Sequence, residues 1–205
     1  PTPRPTYDVD IVVEAHTHAD YLTRIRERLL ALGLSESSAP GDPICAWRVD
    51  GIRVDVMPSD SHILGFSNRW YQSALRSGTL LELDGARVRV INAPHFVATK
   101  FEAFKGRGKS DPYASHDLED IVTVVDGRPE LIEEVASCEL ELRDYLQAQF
   151  RRLVSNPDFL NALEGLVEGE DRAALVLGRI RRLAGEGLDE ARIVQTMQAV
   201  DLGTM

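Results

Sequence analysis

The amino-acid sequence predicts an α+β fold: a mixed, largely antiparallel sheet flanked by helices over residues 1–125, followed by a C-terminal helical region over 126–205. Three observations carry this expectation. Short runs at 4–13, 45–47, 53–57, 80–83 and 87–91 alternate or concentrate apolar residues with the two-residue period of a strand. Two pairs of these runs meet at Asp50-Gly51 and Asp84-Gly85, dipeptides that tolerate the positive φ angles of a tight hairpin. From Pro129 onward the two-residue period gives way to a helical one.

Between the strand runs the helices announce themselves by spacing and by caps. Tyr21, Ile25, Leu29 and Leu32 recur at helical intervals over 20–32, with Gly33 where a left-handed C-terminal residue belongs. Residues 35–43 are rich in Ser, Pro and Gly and read as a loop. Asp60 offers an N-cap to a helix over 61–77, with Leu64, Trp70, Tyr71, Ala74 and Leu75 as its core residues. The hairpin over 80–91 then adds antiparallel strands to the sheet. Pro94 suits the first turn of a helix reaching Lys105, and Ser115 caps another over 116–125. A long helix follows over 129–154, with Ile132, Val135, Leu142, Leu146, Phe150 and Leu153 on its buried side. Asn156-Pro157 opens the next, and 172–183 carries a basic cluster at Arg179, Arg181 and Arg182.

Composition bounds the function. With 205 residues, 43% of them hydrophobic, the chain is long enough to bury a core. A net charge of −10 argues against a protein that coats nucleic acid, which needs a basic face to release counterions. Arginine far outnumbers lysine and is the better residue for a two-pronged phosphate contact. The two cysteines, Cys45 and Cys138, sit in dissimilar contexts, which points to neither a disulfide framework nor a zinc site and suits a reducing, cytoplasmic setting. No signal-peptide pattern and no membrane-length apolar run is present.

The chemistry concentrates at Asp8-Val9-Asp10. On a strand the two carboxylates project to one face while Val9 and Ile11 take the other. Asp55, in a second alternating run, lies opposite Ile52, Val54 and Val56 and joins them if the two runs pair. Oxygen-only groups of this kind suit a hard cation such as Mg²⁺. His16 and His18 read as surface histidines, and the Asn68-Arg69-Trp70-Tyr71 cluster as packing. Asp117 and Asp120, in the first turns of the 116–125 helix, are also where a helix favours negative charge for its own sake.

Taken together, the runs RPTYDVDIVV (4–13), RVDVMPSD (53–60), ATKFEAF (98–104), KGRG (105–108) and SHDLEDI (115–121) resemble the nucleotidyltransferase superfamily, specifically its bacterial AbiEii-like branch, which includes toxins of toxin–antitoxin systems. The resemblance implies a nucleotidyltransferase-like sheet and transfer of a nucleotidyl group from a nucleoside triphosphate. The acceptor would be an RNA such as a tRNA 3′ end, a protein hydroxyl or a small molecule. It assigns Asp8, Asp10 and Asp55 to Mg²⁺ or Mn²⁺, Lys100 to the triphosphate with Arg107 and Thr6 beside the nucleotide, and an active-site carboxylate to Asp117 or Asp120. It admits a cognate antitoxin as partner and implies no membrane association. In the family the DxD strand follows a Gly-Gly or Gly-Ser turn that cradles phosphate. Only three residues precede Arg4, so the resemblance also implies a chain without that cradle, and with it an alternative function: a catalytically inactive binding or dimerisation module.

Overall fold

A computed structural model describes residues 8–169 and 171–187 of the chain. Thr6 lies outside the described residues, as does the rest of the 4–7 run. The chain forms two compact units, divided in sequence between Asn92 and Ala93. The sequence boundary at 125/126 therefore falls inside the second unit, and the 94–105 and 116–125 helices group with the helices that follow them.

The first unit is built on a four-stranded sheet of β1 (Asp8–Val13), β2 (Ser35–Glu36), β3 (Ala46–Val49) and β4 (Ile52–Pro58), in the order β1-β4-β3-β2. β3 and β4 form the expected hairpin, with Asp50 at φ 49° and Gly51 at φ 82°. β1 runs parallel to β4, so the chain must cross over between them. Part of that crossover is helical: α1 (His18–Asp20), a π turn (Tyr21–Ile25) and α2 (Arg26–Ala31) run on without a break. The stretch starts earlier than its apolar spacing suggests because Thr17 caps it, its hydroxyl accepting the Asp20 N–H at 3.0 Å. Asp20 returns the favour by accepting the His16 N–H at 2.9 Å.

Tyr21 and Ile25 pack with Ala15, Trp47, Val54, Val56 and Ile63 as the core of this unit. The Tyr21 hydroxyl donates to the Val56 carbonyl at 2.6 Å, which ties the crossover to the central strand. Leu32, the last residue of the apolar helical spacing, is 67% exposed because the helix ends at Ala31 and Leu32 has left the helical conformation.

Two further expectations are corrected here. Residues 61–77 do not form one helix. Gly65, at φ +77°, closes α3 (Ser61–Leu64), and α4 (Tyr71–Ser77) starts only after Trp70. Nor does the next hairpin extend the main sheet. β5 (Thr79–Leu83) and β6 (Ala86–Val90) pair through the expected Asp84-Gly85 turn but make a two-stranded ribbon of their own, exposed along its whole length.

The second unit contains α5 (Ala93–Lys105), α6 (His116–Gly127), α7 (Leu131–Ala136), α8 (Leu140–Val154), α9 (Pro157–Leu166) and α10 (Arg172–Leu183). The expected long helix over 129–154 is two helices. Ser137 turns its hydroxyl back to the Glu133 carbonyl at 2.8 Å, and the backbone leaves the helix at Glu139. Phe101 of α5 meets Phe150 of α8 edge to face at 5.1 Å, among fully buried Val97, Leu118, Ile121 and Leu146. Arg179 is no surface charge: it donates to the Val125 carbonyl at 3.0 Å and to that of Asp126, satisfying the C-terminus of α6. Among the described residues no helix is long and apolar enough to cross a membrane.

Candidate functional site

Strand register decides where the sheet's acidic groups stand. In the parallel ladder Asp10 is paired with Asp55 and Asp8 with Arg53, and paired residues share a face. Asp8, Asp10, Arg53 and Asp55 therefore line one side of the sheet, while Val54 and Val56 enter the core on the other. Asp8 and Asp10 are exposed on β1, at the end of the strand order. The antiparallel register brings Arg48 of β3 to the same face, opposite Arg53.

Asp55 is already engaged. The Arg53 guanidinium forks it, with Nε at 2.8 Å from Oδ1 and Nη2 at 3.0 Å from Oδ2, and the remaining nitrogen reaches Asp42 Oδ1 at 3.0 Å. Asp42 also accepts from the Ser37 hydroxyl and lies 3.9 Å from Arg48 Nη2. Behind this face Cys45 is buried, and burial, aided by the Asp55 charge, pushes its thiol up. Among the described residues no three His, Cys, Asp or Glu side chains form a group able to hold a metal ion. By donor chemistry Asp8 and Asp10 suit a hard cation, and both oxygens of Asp55, which would join them, already accept from Arg53.

Arg53 and Asp42 are the residues that sequence reasoning missed. Arg53 had a signal: it is two residues from Asp55, so any strand that shows one shows the other on the same face. Asp42 had none, since it lies on a loop whose path is set by tertiary structure.

The second unit brings together Lys100, Arg107, Asp117 and Asp120. Lys100 on α5 places Nζ at 2.6 Å from Asp120 Oδ2 and 3.6 Å from Asp117 Oδ1, and 5.4 Å from the centre of the Phe96 ring. Arg107, in the loop after α5, forks Asp117 at 2.9 and 2.7 Å. The loop can pass this close because Gly108 has no side chain: a Cβ there would lie 2.7 Å from the Phe104 carbonyl oxygen and 2.9 Å from Ser115 Oγ. Ser115 caps α6 as expected, accepting the Leu118 N–H at 3.4 Å. Burial would raise the Asp117 carboxyl, but the Arg107 hydrogen bonds and the charges of Arg107 and Lys100 outweigh it and hold the group below the usual carboxylate range. Two cations and two carboxylates make the cluster formally neutral.

His16 and His18 are exposed. Trp70 is buried beneath the Arg69 guanidinium, 4.8 Å from its ring, in keeping with a packing role. No protein-family model matches the chain, and no curated protein or solved structure matches it either.

Proposed function

We propose that the protein is a nucleotidyltransferase acting on a nucleoside triphosphate and a hydroxyl acceptor carried by an RNA, a protein or a small molecule. One observation supports this above the rest: the β1–β4 register sets Asp10 directly opposite Asp55, with Asp8 two residues along the same face. The reaction needs little covalent work from the protein. An acceptor oxygen attacks the α-phosphorus, a new O–P bond forms, the bond to the β-phosphate oxygen breaks and pyrophosphate leaves.

In this reading Asp8 and Asp10 hold Mg²⁺ or Mn²⁺, which when bound supplies charge stabilisation at the α-phosphoryl group. Asp55 would either complete the metal site or take the proton of the attacking hydroxyl on a carboxylate oxygen. Within the helical unit itself, Lys100 and Arg107 are balanced by Asp120 and Asp117 in the resting protein.

The test is transfer of label from α-labelled nucleoside triphosphates, with Mg²⁺, to RNA or protein. Asp10→Ala is expected to abolish labelling while leaving the melting temperature unchanged or raised, since an exposed carboxylate is relieved of a like-charged neighbour. Absence of any transfer, together with no thermal stabilisation by Mg²⁺ and nucleotide, would overturn the proposal. A second reading, a non-catalytic binding or dimerisation module, draws on one observation: the β5–β6 ribbon leaves Leu81, Leu83, Val88 and Val90 exposed on one face.

A further inference from the structure

The acidic face of the sheet already carries a cation of its own. Arg53 stands across from Asp8 in the ladder, occupies both oxygens of Asp55 and holds Asp42 with its third nitrogen. The three side chains are well sheltered: Arg53 is 29% exposed, Asp55 16% and Asp42 13%. We infer that Arg53 is the resident counter-cation of this face and competes with a divalent ion for Asp55. The inference rests on the reading of Asp8 and Asp10 as cation ligands and assigns to Arg53 a part in the same site.

Three features make Arg53 a competitor rather than a bystander. A fork on both carboxylate oxygens is the strongest geometry an arginine offers, and it points those oxygens at the guanidinium. A divalent ion arriving at Asp8 and Asp10 meets the like charge of that guanidinium before it meets Asp55. Asp42, meanwhile, gives Arg53 somewhere to remain. It is fixed by the Ser37 hydroxyl and flanked by Arg48, so the guanidinium keeps one partner when Asp55 is released.

The face therefore has two arrangements. In one, seen here, Arg53 bridges Asp42 and Asp55. In the other Arg53 stays on Asp42, Asp55 turns to the ion, and the freed guanidinium nitrogens face outward with the planar donor pattern that matches a phosphate. A divalent ion alone must displace the fork without compensation, whereas an ion arriving with an anionic phosphate gives Arg53 a new partner.

The experiment is titration of the full chain with MnCl₂, without nucleotide, following free Mn²⁺ by electron paramagnetic resonance in the parent, R53Q, R53Q/D55N and D10N proteins. Removing a like charge within hydrogen-bond reach shifts such equilibria by about one to three powers of ten. R53Q is expected to bind Mn²⁺ about tenfold tighter than the parent or more, and R53Q/D55N to lose that gain. D10N is expected to bind least. Equal or weaker binding by R53Q, with binding still abolished in D10N, overturns the competition while leaving the cation site standing. No Mn²⁺ binding by either the parent or R53Q removes both. Circular dichroism checks the fold of each variant. Should R53Q not fold, R53K carries the comparison, keeping the charge but not the fork, with a smaller gain of the same sign expected and no gain as the refuting result.

Discussion

Replacing Lys100 by Met removes one ammonium group and little volume. What remains is Asp117, whose side chain is 6% exposed and still forked by Arg107, and Asp120, 21% exposed, three residues along on α6 and stripped of the Lys100 ammonium. A fully exposed ion pair contributes about 0–1 kcal/mol, and breaking a fully buried one costs about 3–5 kcal/mol. Lys100, at 19% exposure, lies between these cases, and the loss should be about 2 kcal/mol. Urea unfolding measures it, with an unchanged slope showing that the same surface is exposed.

The sign of the pH dependence is a second reading of the same experiment. Asp117 is held below its ordinary value of 3.8, so its contribution is complete above that pH and lost as pH falls through the lower folded value. Without Lys100 the folded value rises toward the unfolded one. The stability gap between parent and variant should then be widest at neutral pH and close below about pH 3.8. A K100M protein within about 0.5 kcal/mol of the parent, or a gap that stays constant on acidification, would refute the view of this cluster as a mutually dependent network.

Two further outcomes are expected. Tyr21→Phe removes the hydroxyl that donates to Val56 and should lower stability by about 1 kcal/mol. Burial first of all pushes the Tyr21 phenol up to about 12 from 10.0, so its share of stability is whole below pH 10 and lost between pH 10 and 12; the parent should weaken across that window more than Tyr21→Phe, as read by urea midpoints. Gly108→Ala should cost more than about 1 kcal/mol, because the new Cβ meets the Phe104 backbone at 2.7 Å, whereas Gly106→Ala, whose Cβ comes no closer than 3.4 Å to the Glu102 carbonyl oxygen, should leave the melting temperature nearly unchanged.

The parts of the fold that could be read from sequence are those governed by neighbours in the chain. Asp50-Gly51 and Asp84-Gly85 form their turns because both residues of each pair accept positive φ without outside help. Gly33 and Gly65 show the limit of such reading. Each takes a left-handed conformation beyond a helix, yet the apolar residues Trp70, Tyr71 and Ala74 continue the helical spacing past Gly65 and conceal the stop. The break at Ser137 has neither Gly nor Pro to mark it and depends on a hydroxyl choosing the Glu133 carbonyl. The isolation of the β5–β6 ribbon was equally hidden. A two-residue period says that a strand exists, and pairing between distant strands says which sheet it joins.

The candidate site divides along the same line. Alternation alone sets Asp8 and Asp10 on one face, and the parallel register, a long-range property, then brings Asp55 beside them. Counting only acids, that face looks like a bare cation seat. Its electrostatics depend on every residue that alternation sends there and on what the loops add. Among the described residues, Arg48 and Arg53 share this face with Asp8, Asp10, Asp42 and Asp55, and Asp55 has a partner in Arg53. On the competition inferred above, a divalent ion entering here would exchange one cation for another instead of filling an empty site. Its affinity for such an ion would then be set as much by the basic residue two places before Asp55 as by the carboxylates that make the motif visible.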